Sequence, residues 1–238
     1  MPPRIVAFVF ARGGSKGLPR KNLLLLEGKP LIVHAIDTAL SLPRVAKVVV
    51  STDDHEIADI ARKAGAVVPF TRPVELAADD APEWLAWQHA IRSMRAAGET
   101  IDIFLSLPPT SPLRLPADID CCLDAYLQGG ADMVITVRKA ERSPYFNMVR
   151  READGSVRLA VEGRYHRRQD VPPLFDITTV AYVASADFVL GATRIFDGHI
   201  RAVEIPRVRA LDIDTVYDLR IGSALLGFVA DSGPARVV

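Results

Sequence analysis

The 238-residue chain has no surplus of charge: 29 Lys and Arg stand against 29 Asp and Glu, a formal net charge of zero. No long-range field therefore draws it to nucleic acid or to an anionic membrane, and any anion it binds must meet a local cluster of cations. Cysteine is almost missing, with Cys121 and Cys122 adjacent. Neighbouring cysteines rarely bridge each other, and two thiols alone make no metal site. Both are expected on a helix, in or just under the core. Long apolar runs are missing as well. After Met1-Pro2-Pro3-Arg4 comes a run of about seven apolar residues, too short for a signal-peptide core with its cleavage site. Nothing approaches the roughly 20 residues that cross a bilayer. These absences suit a cytoplasmic protein with neither nucleic acid nor membrane as a partner. What the chain does have is apolar material, 49% of its residues, enough to give 1–238 one large core.

The punctuation is that of an α/β domain. Ile5–Phe10 is a continuous apolar run that reads as a buried strand. Helix is expected from about Leu31 to Leu42, strand over Val45–Ser51, and Asp53-Asp54 caps a helix running toward Gly65. A third strand is expected over Ala66–Phe70. Asp80 then opens a helix with Pro82 in its first turn, followed by strand Ile101–Leu107, helix Pro116–Leu127 and strand Asp132–Val137. Such alternation calls for right-handed crossovers and a mostly parallel sheet covered on both faces. The rhythm breaks at 138–173, where Phe146–Arg151 and Ser156–Val161 flank the hairpin pair Asp154-Gly155. A hairpin cannot bury itself alone, so this inserted arm is expected to meet a second subunit. Strands at Ile177–Val183 and near Ala202–Ile205, and a helix from Thr215 to about Val229, close the chain.

Two segments carry chemistry. Ala11-Arg12-Gly13-Gly14-Ser15-Lys16-Gly17-Leu18-Pro19-Arg20-Lys21-Asn22 follows the first strand, where open α/β sheets bind ligands. Its glycines let backbone N–H groups turn toward anionic oxygens, and Arg12, Lys16, Arg20 and Lys21 supply four cations. The spacing fits neither G-x-G-x-x-G nor G-x-x-x-x-G-K-[ST]; a solvated basic loop remains the alternative. Far along the chain, Asp212-Ile213-Asp214 puts two carboxylates on one face of an extended segment. Paired carboxylates with substrate phosphates are the usual setting for Mg²⁺. Capping of the last helix by Asp214 or Thr215 is the competing explanation, and it leaves Asp212 unexplained.

Taken with S-T-D at 51–53, R-P-x-E-L-A at 72–77, P-T-S-P-L-R at 109–114, R-Q-x-x-P-P at 168–173 and D-I-D-T at 212–215, the loop 11–22 resembles the acylneuraminate cytidylyltransferases over essentially the whole chain. The resemblance implies a three-layer, Rossmann-like nucleotidyltransferase domain, homodimeric through its inserted arm. The implied reaction joins CTP to a free, sialic-acid-like 2-keto sugar acid with Mg²⁺, giving a CMP-sugar and pyrophosphate. It also implies roles for particular residues. Ala11, Arg12, Gly13, Gly14, Ser15, Lys16, Lys21, Asn22 and Arg72 would form the nucleotide site, Arg72 reading the cytosine. Arg12, Lys16, Lys21 and Asp214 would be the catalytic residues, the cations at the phosphates and Asp214 at the metal. Asp212 and Asp214 would hold the metal, and Arg168, Gln169 and Thr178 would lie at the sugar. Two departures fall on the sugar side: Pro108 stands where the family has glutamine, and Phe175–Thr179 replaces an Asn-Gly pair. A Kdo cytidylyltransferase, another nucleotidyltransferase or a non-catalytic nucleotide-binding protein are the alternatives.

Overall fold

A computed structural model describes residues 2–15, 17–163, 165 and 167–238, with the backbone alone at 168. In chain order the strands are β1 (Ile5–Phe10), β2 (Leu25–Leu26), β3 (Lys29–Pro30), β4 (Val45–Ser51), β5 (Ile103–Ser106), β6 (Met133–Lys139), β7 (Val149–Arg151), β8 (Val157–Leu159), β9 (Phe175–Ser185), β10 (Ile200–Glu204) and β11 (Arg236–Val237). The α-helices are α1 (Leu31–Leu40), α2 (His55–Lys63), α3 (Glu83–Ala96), α4 (Pro116–Leu127), α5 (Ala186–Gly191) and α6 (Val216–Leu225). Seven strands form one sheet in the order β11-β10-β6-β9-β5-β1-β4. β4, β1, β5, β6 and β10 run one way, and β9 and β11 run against them. The expected mostly parallel sheet is therefore present.

The alternation of β1 builds three layers. Ile5, Ala7 and Val9 face Ile32 and Ile36 of α1, Ile57 of α2 and Ile119 of α4. Val6, Phe8 and Phe10 face Trp84, Trp87 and Ile91 of α3 and Val189 of α5. Period-two side chains on a sheet buried on both sides read as the unbroken apolar run seen in the sequence. Asp54 caps α2 through the Ile57 N–H at 3.0 Å, as its position before the helix implies. Cys121 and Cys122 sit on α4 as free thiols, the second fully buried.

Two expectations need correction, and one strand was not foreseen. Residues 66–70 form no strand: the segment touches the sheet only through isolated bridges, Val49 with Val67 and Thr52 with Thr71. The Pro69 ring has no N–H to donate, and pairing resumes only beyond Phe70, where the Arg72 N–H reaches Thr52 O at 2.8 Å. Pro82 takes the cap position before α3 rather than its first turn. The C-terminal edge strand β11, only two residues long, carries no period that a sequence reading could detect.

Between β6 and β9 the chain leaves the sheet. β7 and β8 pair only with each other, and Ala140 N–H donates to Leu174 O at 3.0 Å to close the base of the excursion. At the tip Gly155 takes φ 85°, which glycine adopts without strain.

Candidate active site

The carboxyl ends of β1, β4 and β5 place three loops side by side, and a cleft of about 330 Å³ opens among them. Its walls hold Phe10, Arg12, Lys21 and Asn22 from the basic loop, and Arg72 from the segment beyond β4. Glu83 comes from the start of α3, Pro108–Thr110 from the loop after β5, Thr179 from β9, and Asp212 with Asp214 from the segment before α6. The two chemistry-bearing segments of the sequence thus meet in one place. Lys21 Nζ donates to Asp214 Oδ1 at 2.8 Å, joining residues 193 positions apart.

The basic loop is fixed from several sides. Ala11 is buried and continues the sheet, its N–H reaching Ser51 O at 3.1 Å. Arg12 donates to Ala78 O and pairs with Asp79, each at 2.9 Å. Gly13 N–H is bonded to Asp53 Oδ1 at 3.0 Å. A Cβ at Gly13 would come within 2.7 Å of Asp54 Oδ2, so only glycine fits there. Arg20, in the left-handed region at φ 56°, pairs with Asp54 and Glu56. Buried Asn22 donates to Arg12 O at 3.0 Å, closing the loop across its mouth. Gly14 lies open to solvent, and Ser15 is half-buried outside the residues that line the cleft. Lys16 lies outside the described residues.

At the carboxylate pair the capping alternative is resolved. Thr215 caps α6, accepting from Asp218 N–H at 3.2 Å, while Asp218 reaches back to the Thr215 N–H at 2.8 Å. Neither Asp212 nor Asp214 is used as the cap. Ile213 is fully buried, and its N–H donates to Thr110 O at 2.8 Å, so the two flanking carboxylates turn toward the cleft. Burial raises the Asp212 carboxyl above its ordinary value; Asp214 adds to this, and the Thr110 hydroxyl, Lys21 and Thr179 oppose it. Among the described residues Asp212 Oδ1 is buried with no hydrogen-bond partner. A buried carboxylate oxygen without a donor is costly unless a cation completes it. The donor set, two carboxylates beside a cleft that also holds Arg12 and Lys21, fits Mg²⁺, which keeps few protein ligands and takes the rest from substrate and water. No group of three or more acidic, His or Cys residues that could hold an ion gathers anywhere among the described residues, this cleft included, so the pair would need substrate oxygens to complete the ion's shell.

Arg72 is 5% exposed. Its Nε donates to Ser51 Oγ at 3.1 Å and its Nη2 to Ser51 O, and the guanidinium lies 5.6 Å over the Phe10 ring. Burial lowers it to about 10, against the pull of Asp53 and Glu83, so it stays charged at neutral pH. Arg114, missed as a functional residue by sequence reasoning, is buried and grips Ser111 O at 2.8 Å and Pro108 O. It ties the proline loop into the shape that presents Thr110 to Asp212.

The sugar-side residues are distributed differently. Thr178 is buried, its hydroxyl donating to Thr136 Oγ1 at 2.9 Å inside the sheet. β9 bulges at this point: Ile135 pairs with Tyr182 but the next residue, Thr136, pairs with Thr178. The extra residues throw Thr179 into the cleft instead, with its hydroxyl 2.7 Å from Ser111 Oγ. Bulges re-aim side chains in this way, and nothing in the alternation of the strand announces one. Gln169 lines a separate recess of about 500 Å³ with Lys139, Arg142 and Ser143, not the cleft. The side chain of Arg168 lies outside the described residues.

A sequence model of the cytidylyltransferase family matches residues 6–216. The chain is 31% identical over 220 residues to a pseudaminic acid cytidylyltransferase of Campylobacter jejuni, covering 90% of this chain and 93% of that one. It is 30% identical over 231 residues to the CMP-N,N'-diacetyllegionaminic acid synthase of Legionella pneumophila, covering 94% and 96%. Among solved structures, a CMP:2-keto-3-deoxy-manno-octonic acid synthetase complexed with CTP superposes with TM-score 0.69 at 19% identity, over 94% of this chain and 99% of that one. That last likeness bears on the fold.

Proposed function

The chain belongs to the cytidylyltransferase family, and on that premise we propose that it transfers CMP from CTP to a free nine-carbon 2-keto sugar acid of the sialic, pseudaminic or legionaminic kind, releasing pyrophosphate. The relatives named for pseudaminic and diacetyllegionaminic acids support this acceptor class. The observation that carries the reading is the meeting of Arg12, Lys21, Asp212 and Asp214 around one cleft. Loop cations alone would make an anion site; the buried, partnerless Asp212 Oδ1 beside them makes it a site for a nucleotide with its cation.

In the proposed reaction the anomeric hydroxyl of the sugar acid attacks the α-phosphorus of CTP in line with the departing pyrophosphate. Arg12 and Lys21 lie where they can neutralise phosphate oxygens, and Lys16 belongs to the same loop. Arg12 would exchange Asp79 for the substrate, and the Gly13 N–H would exchange Asp53. Asp212 and Asp214 would hold Mg²⁺, which when bound supplies positive charge to the reacting phosphate. Most of the acceleration in such a transfer comes from positioning and charge placement.

We also propose a homodimer joined through the arm. β7 and β8 put Val149, Val157 and Leu159 on one face, with Arg151 at its edge, and Arg150 and Arg158 on the other. Both valines are 60% exposed, more apolar surface than a two-stranded ribbon keeps in water on its own. Docking would also bring Gln169, with Lys139 and Arg142, toward a partner's cleft. Among the described residues no helix is long and apolar enough to cross a membrane, and a cytoplasmic setting, where CTP is made, fits the two free thiols.

Pyrophosphate release measured across nucleotides and across pseudaminic, legionaminic, N-acetylneuraminic and octulosonic acids tests the function. Turnover is expected with CTP and a nine-carbon acid. Turnover confined to the eight-carbon acid would overturn the acceptor class, and none with any acid would overturn the reaction.

A further inference from the structure

Four carboxylates line the cleft: Asp79 pairs with Arg12, Asp212 and Asp214 form the proposed metal pair, and Glu83 stands apart from both arrangements. It stands at the first turn of α3, exposed to the cleft, and lines it together with Arg72, Phe10, Ala81 and Ala86. The surrounding protein raises its carboxyl above the ordinary value; the Trp87 indole one turn on and the Arg72 guanidinium oppose this, and Asp212 adds to it. Anionic repulsion from CTP makes a carboxylate here costly unless the ligand donates a hydrogen bond to it.

The nucleotide has few donors to offer. Its phosphates have none, so the candidates are the ribose hydroxyls and the base. The surroundings favour the base: the Phe10 ring lies under Arg72 at 5.6 Å, and small side chains at Ala81 and Ala86 leave room beside it. Arg72 spends its Nε–H and one Nη2–H on Ser51, which leaves Nη1 and the second Nη2–H as donors for a ligand. A fixed donor next to a fixed acceptor is the complement of an acceptor next to a donor. Cytosine presents that order along its edge, ring N3 accepting and the exocyclic 4-amino group donating. Uracil presents the reverse, N3–H donating and O4 accepting.

We propose that Glu83 is a specificity residue that accepts a hydrogen bond from the 4-amino group of cytosine, and with Arg72 excludes uracil nucleotides. This rests on the cytidylyl-transfer reading of the same cleft. A carboxylate taking the cytosine amino group is a known pairing, and one such contact is worth roughly 1–3 kcal/mol of discrimination, or about 5- to 150-fold in affinity. The competing role is that Glu83 only balances the buried charge of Arg72.

Equilibrium titration of CTP and of UTP, each with Mg²⁺, into the parent and into Glu83→Gln and Glu83→Ala separates the two. The parent is expected to prefer CTP. In Glu83→Gln the amide can turn either its carbonyl or its NH₂ to the base, so CTP weakens, UTP tightens, and the ratio falls by at least about tenfold. In Glu83→Ala CTP weakens while UTP does not. A parent that binds both equally, or variants that keep the parent's ratio, overturns the proposal. Glu83 sits on the exposed first turn of a helix, and matching thermal melts confirm that the variants are folded. Because the readout is binding, the result stands apart from sugar transfer: a parent that selects CTP but couples it to no sugar acid would sink the reaction and leave this inference in place.

Discussion

Around the cleft, each cation of the basic loop that the structure describes is tied to a distant part of the chain. Lys21 reaches Asp214 across 193 positions, Arg20 reaches Asp54 across 34, and Arg12 bonds Ala78 O across 66. At the arm's base Glu141 pairs with Arg207 and Arg138 with Asp176, but beyond that base the side-chain bonds among the described residues are local. Arg150 pairs with Glu152 two positions on, Asp154 with Ser156, and Arg167 with Asp170 three positions on. Long-range bonds fix elements relative to one another; local ones shape a turn and leave its placement free. The cleft is therefore built before any ligand arrives, while the arm carries apolar surface whose burial needs a second body. On the proposed function, the nucleotide end of the reaction would be preorganised within one chain, and the sugar end would not.

The sharpest way to test that contrast is to break a charge pair of the same kind in each region. Beneath the cleft side, Arg209 forks onto Asp118 at 2.8 and 2.9 Å, the two side chains 2% and 0% exposed. Arg209→Ala leaves Asp118 buried without its cation and is expected to cost about 3–5 kcal/mol, read from the urea midpoint at unchanged slope. A loss below about 1 kcal/mol would mean that the core half is no better fixed than the arm. Next in size is Asp212→Ala, expected to lower kcat for pyrophosphate release by about 100- to 1000-fold, the scale of losing a charge-stabilising group. Asp214, exposed and already paired with Lys21, should matter less on substitution to Ala. Unchanged turnover in both variants at limiting Mg²⁺ would remove the metal assignment.

The same contrast explains what the sequence could tell. β1, β4 and α4 were legible to within a residue or two because a strand buried on both faces is one apolar run and a helix beginning Leu115-Pro116 announces its first turn. The loop Ala11–Asn22 and the pair Asp212/Asp214 were legible as chemistry, since glycines, cations and paired carboxylates have few other reasons to cluster. Their meeting is a property of the topology, and it came from the family resemblance rather than from spacing. The bulge in β9 was illegible: Thr178 and Thr179 are identical letters, and only the Thr136 hydroxyl, bonded to both Thr178 O and Ala181 O, decides which one enters the cleft. Glu83 was illegible for another reason. A glutamate in the first turn of a helix is favoured by the helix dipole and looks like ordinary surface until the cleft beside it is seen.

If the arm's apolar face is an interface, charging it should dissociate the dimer without touching the cleft. Val149→Lys and Val157→Lys each remove a side chain whose full burial is worth about 1.5–3 kcal/mol. Each is expected to raise the dimer dissociation constant by at least about tenfold in sedimentation equilibrium, with CTP affinity unchanged. A monomeric parent would refute the interface directly.

The smallest expected effect is at Asp170. It pairs with Arg167 at 3.0 Å on an exposed turn, the side chains 68% and 37% exposed, so Asp170→Ala should cost less than about 1 kcal/mol of stability. The value of so small a change lies in where it is measured. In a Val157→Lys background the arm is undocked and the pair is solvated, and the loss should stay within the surface range. In the parent, docking could exclude water from the turn, and the same substitution would then cost more because the remaining Arg167 would be left desolvated without its partner. A loss that is small in both backgrounds keeps this turn outside the interface and confines docking to the β7–β8 face. A loss above about 1 kcal/mol that appears only in the dimer would extend the interface to the turn carrying Gln169, joining the arm's structural and sugar-side roles in one surface.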